Sequence, residues 1–351
     1  GFWETSNEQM ATGRGFAGPG VTTVGGAALT FAGEEFRETV NIGLFAQDRI
    51  SWRDKVFATA GVRVDGNSAF GENYGLKAYP KVDVAYQATQ DDYLPEVISN
   101  LKIRGALGQA GKFPGAFDQF RTFSPTTVLN DVAGVSPDNP GNADLKPETT
   151  TEIEGGFDAG LLDDKIGLSF TYYYARTRDA LLEINLPPSE GFSDQRLANA
   201  GEIENKGWEL SVNTTPINTA DFRWSVDLNM DANENKILDL GDQANWRTVQ
   251  FKDGKGGFRV DSVMYLGGHE EGYPIRSQWT RMIESYDATT NEHTRTDYNV
   301  YAGPVLPTFT ASLANTLTYG AFRVYALVSM EDGAIFSNGD RSYRVRQGGG
   351  D

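Results

Sequence analysis

Apolar residues recur at every second position of this chain, over stretches too long for ordinary strands. From Val40 the even positions read Val40, Ile42, Leu44, Ala46, Asp48, Ile50 and Trp52. The odd positions read Thr39, Asn41, Gly43, Phe45, Gln47, Arg49 and Ser51. Successive side chains of a strand point to opposite faces, so this is a ribbon with one greasy and one wet side. The pattern restarts at Val56, Ala58, Ala60, Val62, Val64 and again at Leu76, Ala78, Val82, Val84, Tyr86. It returns at Leu101, Ile103, Leu107, at Ile153, Phe157, Ala159, and at Ile166, Leu168, Phe170, Tyr172, Tyr174. Later come Trp208, Leu210, Val212, then Phe222, Trp224, Val226, Leu228, Met230. The last are Phe309, Ala311, Leu313, Leu317, Tyr319 and Phe322, Val324, Ala326, Val328. That makes about ten strands, several longer than the ~5–6 residues usual in globular proteins and close to the ~9–11 of a tilted bilayer-spanning strand.

The connections alternate in length. Short ones fall near Arg53-Asp54, Leu162-Asp163-Asp164, Asn218–Asp221 and Gly320, with a medium one over Thr89–Asn100. Between them lie long ones, over Gly66–Gly75, Gly111–Thr149, Asp179–Gly201 and Asn233–Leu306. An antiparallel up-and-down transmembrane β-barrel gives this alternation, with tight turns on one rim and elaborated loops on the other. Loops of this length argue against a compact soluble domain. Aromatics beside the short turns (Trp52 and Phe57, Phe222 and Trp224, Tyr319 and Phe322) fit an interfacial girdle. Of the apolar-face residues only Asp48 is charged; proximity to the Trp52 rim or a bulge would make it tolerable.

Other classes are excluded on composition. No apolar run approaches the ~18 residues a membrane helix needs; the longest resemble Val324-Tyr-Ala-Leu-Val328. At 351 residues the chain suffices for two soluble domains or one large β architecture, and 12% aromatics exclude a disordered composition. A net charge of −17 opposes nucleic-acid binding, and zero cysteines remove disulfide scaffolds, thiolate zinc sites and cysteine nucleophiles. Gly1 reads as a processed or cut start, without initiator Met or signal peptide.

No enzyme motif survives inspection. Gly105–Phe113 has the wrong spacing for a phosphate loop and ends a strand. Asp231-x-Asn233-x-Asn235 opens like a calcium loop, but Lys236 stands where Gly is required and Asp242 where a bidentate Glu belongs. His269-Glu270-Glu271 reads as a solvated loop tip, and with His293 the only other histidine a Ser-His-Asp triad is not expected. The carboxylate pairs Asp91-Asp92 and Asp163-Asp164 fall in turns, with no glycosidase spacing. No catalytic residue, cofactor or metal site is expected. The candidate ligand contacts are loop aromatics: Phe113, Phe117, Phe120 and Phe123 in one loop, Trp246, Phe251, Tyr273 and Trp279 in the longest. Packing of the loops on themselves is the competing reading.

Several segments together resemble TonB-dependent outer-membrane receptors, in particular the SusC/RagA-like branch. They are Phe45-Ala-Gln-Asp-Arg-Ile-Ser-Trp52, Arg63-Val-Asp-Gly-Asn-Ser-Ala-Phe-Gly71 with Tyr79-Pro80, Leu101-Lys-Ile-Arg-Gly-Ala-Leu-Gly108, Asn142-Ala-Asp-Leu-Lys-Pro-Glu-Thr149, Asn199-Ala-Gly-Glu-Ile-Glu-Asn-Lys-Gly-Trp-Glu209 and Gly303-Pro-Val-Leu-Pro-Thr308. Lys146-Pro147-Glu148 is closer to general TonB receptors than to the Trp-containing form of SusC proteins. The resemblance implies an all-β barrel of about 22 strands filled by a plug domain. Within it this chain is expected to be a partial barrel lacking the plug and TonB box, with an extracellular loop over 1–35, barrel strands and loops over 36–330 and a truncated loop or strand over 331–351.

The resemblance further implies active import of a bulky nutrient, an oligosaccharide or peptide, across the cell outer membrane. Its expected partners are outer-membrane lipid, a SusD-like surface lipoprotein and the TonB complex acting through the plug. Alternatives are a siderophore or cobalamin receptor of the same architecture, a passive porin, and a secreted β-rich carbohydrate-binding or hydrolytic protein.

Overall fold

The computed structural model describes residues 2–20, 22–69, 75–90, 94–128, 132–186, 188–192, 195–199, 201–241, 250–252, 258–260, 269–296 and 299–336. Its frame is one antiparallel sheet of eleven strands, each paired with its neighbour in the order β1 to β11. They are β1 (Phe2–Phe16), β2 (Ala27–Trp52), β3 (Val56–Asn67), β4 (Lys77–Gln87), β5 (Ile98–Lys112), β6 (Glu148–Leu161), β7 (Ile166–Arg178), β8 (Glu202–Asn218), β9 (Phe222–Asp239), β10 (Phe309–Tyr319) and β11 (Phe322–Asp332). This meander is the all-β up-and-down pattern expected from the alternation.

Local chemistry closes the short rim. Arg53 and Asp54 both adopt left-handed φ, and the Lys55 amide donates to the Trp52 carbonyl at 3.1 Å. Two such residues in succession match the right-handed twist of the strands they join. Leu162, Asp163 and Asp164 are also left-handed, and Gly320 turns β10 into β11 at φ 54°. A two-stranded hairpin of 123–128 with 132–137 rises within the connection over 113–147, and another of 181–185 with 195–199 within that over 179–201.

The apolar positions fall into cross-strand register and form one band. Leu44 faces Val64, Ala60 faces Val82 and Phe157 faces Phe170. Leu168 faces Val212, Val212 faces Leu228, Leu228 faces Leu313 and Leu313 faces Val328. Among the described residues no second layer covers this band: Ile42 is 58% and Leu44 74% exposed, and Leu168 and Leu228 are half-buried. The aromatics Trp52, Trp224, Tyr319 and Phe322 mark its short-turn edge. Tyr172, Trp208 and Phe309 mark the other, with Trp208 and Phe309 ring centroids 6.4 Å apart. From Phe222 to Ala232 the strand advances about 33 Å at ~3.3 Å per residue, or about 25 Å of height at a ~40° tilt. That matches the apolar band of an outer-membrane barrel. Above the upper aromatic row the same face turns charged, with Arg176 opposite Glu204 and Glu204 opposite Lys236.

Polar groups on this face are accommodated singly. The Trp224 indole donates to Asn315 Oδ1 at 3.2 Å. Asp48 accepts from the Arg49 amide at 2.9 Å and sits in unbroken register opposite Ala60, so no bulge explains it.

The opposite face is a polar wall with hollows of about 510, 660 and 680 Å³. Asp158 meets Lys102 Nζ at 3.6 Å, Arg104 Nε at 3.5 Å and the Ser169 hydroxyl at 2.7 Å. Arg104 also donates to Thr171 at 2.8 Å.

One expectation becomes more specific and two are corrected. The stretch expected as a loop over 1–35 is ordered as strand: β1 pairs with β2 from Phe2↔Asn41 to Phe16↔Ala27, a hairpin standing beyond the apolar band. Its large apolar residues are scattered over both faces, Trp3 and Phe36 on one and Met10, Phe16, Leu29 and Phe31 on the other, so the hairpin carries no period-two signal. The longest connection starts after Asp239 rather than at Asn233, because β9 continues in polar sequence. The calcium-like triplet Asp231, Asn233 and Asn235 therefore lies on an extended strand and cannot wrap an ion. Asn233 accepts from the Tyr173 hydroxyl, and Asn235 donates to Asn205. Phe57 pairs with Ser51 on the polar face, with the Arg49 guanidinium 5.4 Å from its ring centre, and is no part of the girdle.

Candidate functional site

Among the described residues the largest apolar core lies at the long-loop end of the wall. Ala180, Leu182, Ile203, Ile237 and Leu240 are buried together, with Ile275 packed on them. Ile203 and Ile237 come from the upper ends of β8 and β9, where loops cover the polar face. The segment at 269–276 is stitched to β9: the Ile237 amide donates to the Tyr273 carbonyl at 2.9 Å, the Gly272 amide returns to the Ile237 carbonyl at 2.8 Å, and the Ile275 amide donates to Asn235 Oδ1 at 2.8 Å. Glu271 accepts the Leu240 amide at 3.2 Å.

A second device joins the other two loops. The Lys146 amide donates to Asn199 Oδ1 at 2.8 Å, while Asn199 Nδ2 donates to the Lys146 carbonyl at 2.9 Å and to the Asp179 carbonyl at 2.7 Å. Asn142 Nδ2 donates to the Leu197 carbonyl at 3.1 Å, and Glu148 accepts the Leu181 amide at 3.1 Å. Leu145 is wholly buried between them. The segments around Asn142–Thr149 and Asn199–Glu209, which look unrelated in sequence, thus form one clasp. Gly201 is required here: it has φ 70°, and a Cβ would land 1.6 Å from the Asp239 carbonyl oxygen.

The predicted aromatics divide. Phe117, Phe120 and Phe123 are exposed on the loop over 113–147. Asn139 Nδ2 fixes the turn beneath them by donating to the Phe117 and Phe120 carbonyls at 3.0 and 3.1 Å. Gly141, at φ 67°, lies so close that a Cβ would meet Phe120 and Arg121 backbone at 2.5 Å. Phe113 is half-buried where β5 ends, away from those three. Tyr273 and Trp279 meet at 4.9 Å, edge to face, and both pack on Tyr301, at 4.7 and 5.5 Å. Burial raises the Tyr301 phenol above its ordinary range, with Tyr273 adding to the shift. Phe251 lies in a short strand opposite Arg259, its side chain outside the described residues, and Trp246 lies outside them altogether.

Sequence reasoning missed Tyr301, Asn199 and His269. Tyr301 follows no loop-aromatic cluster. His269 is partly buried against Ile275 and its Nδ1 makes no hydrogen bond, whereas a solvated tip was expected. Burial chiefly lowers its pKa, offset by the Ile275 backbone and the Glu183 charge. Among the described residues no cluster of histidine and carboxylate ligands could hold a metal ion, and no helix is long and apolar enough to cross a membrane.

Comparison with known proteins places the barrel. The family described as "TonB dependent receptor-like, beta-barrel" matches residues 10–349. TonB-dependent receptor P26 of Formosa agariphila is 34% identical over 205 residues, 56% of this chain and 20% of that protein. TonB-dependent receptor SusC of Bacteroides thetaiotaomicron is 28% identical over 218 residues, 58% of this chain and 22% of that protein. The solved RagAB peptide transporter superposes with a TM-score of 0.73 at 17% identity, covering 94% of this chain and 38% of that one, a likeness of fold. The chain spans about a fifth of the length of the curated relatives it matches. With the wall, the rims and the loop mouth in place, the chain belongs to the TonB-dependent receptor-like β-barrel family.

Proposed function

We propose that this chain is barrel wall and loop mouth of a TonB-dependent importer for a bulky nutrient, an oligosaccharide or peptide, in the cell outer membrane. The observation that carries the reading is an uncovered apolar band backed by a polar wall, under loops ordered by their own core. The band meets outer-membrane lipid. The wall offers a wet path, and the mouth offers binding surface that includes Phe113, Phe117, Phe120, Phe123, Tyr273 and Trp279, to which the sequence of the longest loop adds Trp246 and Phe251. The role requires no bond to be made or broken. The printed names of the relatives support the cargo class, since one solved neighbour is a peptide transporter and one curated relative is SusC.

The partners follow from the same reading: a SusD-like lipoprotein delivering cargo at the surface, and a plug coupling the barrel to the TonB complex. The residue division proposed is barrel wall over 36–330, extended upward by the hairpin of β1 and β2. The test is uptake of labelled oligosaccharides and peptides by cells carrying the full-length protein, with and without TonB. Uptake that disappears with either gene is expected. Uptake that persists without TonB would mean a passive pore, and a full-length protein soluble without detergent would end the membrane reading.

A further inference from the structure

Two hollows at the mouth share one wall residue. The upper, about 390 Å³, lies where the loops carrying Asp118, Glu183 and His269 converge, with Lys112 and Arg276 supplying positive charge and Phe113 and Ile275 an apolar side. The lower, about 510 Å³, lies on the polar wall and is lined by Arg63, Asp65, Tyr79, Lys81 and Gln109, again with Phe113. Arg63 is held by Asp65 at 2.8 Å, and among the described residues no carboxylate pairs with the Lys81 ammonium there. Each hollow holds one buried polar atom with no hydrogen-bond partner among the described residues: His269 Nδ1 above and the Tyr79 hydroxyl below. Buried polar groups are normally satisfied, so an orphan in each of two adjoining cavities marks where a ligand would complete the bonding.

We infer that these hollows form a two-compartment binding site for a peptide, divided by Phe113. The inference rests on the import reading above and names its cargo and contacts. Both compartments set charges of both signs beside apolar walls, which suits a ligand carrying an ammonium, a carboxylate and side chains together. The peptide backbone supplies an N–H and a C=O at each residue, so it can satisfy the imidazole nitrogen and the phenol whichever way each is protonated. An uncharged oligosaccharide hydrogen-bonds such side chains through its hydroxyls but brings no charge of its own, whereas the ammonium and carboxylate of a peptide also form ion pairs with them.

Gly111 offers a way into the lower compartment. A Cβ there would come within 2.0 Å of the Tyr79 hydroxyl, so Gly111→Ala forces that ring to move. The experiment is calorimetric titration of the full-length protein in detergent with two probes, a tryptic casein digest and maltoheptaose. Peptide binding is expected and maltoheptaose binding is not. Arg276→Met, Lys81→Met and Gly111→Ala should each weaken peptide binding about tenfold or more, and Phe113→Ala by at least as much. Unchanged heat-modifiable gel migration confirms that each variant keeps its barrel, and Lys81→Met and Arg276→Met, both at accessible charges, keep the test open if Gly111→Ala misfolds. Maltoheptaose binding without peptide binding, no binding of the digest, or peptide affinity indifferent to both charge variants would overturn the inference. TonB-dependent uptake of another cargo would then still stand, whereas peptide binding with TonB-independent uptake would refute the import reading alone.

Discussion

At the short-turn rim, β2 passes into β3 through Arg53 and Asp54, and β10 into β11 through Gly320, with backbone geometry sufficient to make the turn. At the opposite mouth, the described parts of the connections over 113–147, 179–201 and 240–308 form local hairpins that tertiary contacts tie together. One set is the apolar cluster of Ile203, Ile237 and Leu240 with Leu182; the other is the polar clasp of Asn199 on Lys146 and Asp179. Lipid and strand pairing can organise the wall, because the ladder satisfies the backbone of the strands between the two sheet edges and the apolar band needs no protein cover. The mouth stands in water and must bury its own core. Changes at the mouth should therefore loosen loops and leave the barrel intact, while changes in the band should act on the barrel itself.

The largest effect is expected at the mouth's core. Ile237→Ala empties a fully buried site, at about 2–5 kcal/mol for such truncations. Limited proteolysis of the full-length protein should show faster cutting within 240–308 at unchanged heat-modifiable gel migration; loss of the folded gel form instead would break the separation of wall and mouth. Leu228→Arg tests the wall. Leu228 lies midway between the two aromatic rows, where a lipid-facing Arg costs about 2–4 kcal/mol. Folding into vesicles should weaken by that amount, measured by urea titration, while Asn229→Arg on the polar face should change it little.

Asn199→Ala removes three hydrogen bonds across the clasp and is expected to cost about 1–3 kcal/mol. Faster proteolysis in both 113–147 and 179–201 would confirm that the loops are coupled; cutting in one alone would not. The smallest effect concerns pH. Burial lowers the His269 pKa, so the native mouth binds its proton less readily than the unfolded chain does. Its contribution is fully present above about pH 6.5 and declines as pH falls toward the lowered native value. The groups lining the same hollow are Lys112, Asp118, Glu183 and Arg276. The hydrogen-exchange protection of 269–276, corrected for the intrinsic exchange rate at each pH, should fall on acidification through that window, and His269→Gln should flatten the response.

The same contrast explains what could be read in advance. The strands from Thr39 to Trp52, Phe222 to Met230 and Phe322 to Val328 were legible because one face meets hydrocarbon and the other water, which writes period two into the residues. The β1–β2 hairpin and the top of β9 were not, since apolar residues are scattered over both faces of the hairpin and loops cover the top of β9, so neither shows the alternation. Phe57 misled because an aromatic next to a turn carries no sign of which face it takes; its parity with Ser51 and Arg49 did. Phe113 and Tyr273 were recognisable as loop aromatics. The orphaned nitrogen of His269, the third ring Tyr301 and the pairing of Lys146 with Asn199 depend on segments brought together from distant parts of the chain, and no local pattern encodes them.

The central claim is that the apolar face meets lipid tails. The 351 residues contain no cysteine, which opens them to single-site labelling. Spin labels placed one at a time from Trp224 to Asp231 in the full-length protein, reconstituted in vesicles, report collisions with oxygen dissolved in lipid and with a water-soluble nickel chelate. The account predicts a period-two oscillation, with Val226 and Leu228 open to oxygen and Asp227 and Asn229 open to the nickel reagent. Labels at Val226 and Leu228 that are immobile and reached by neither reagent would place that face inside a protein core and contradict it.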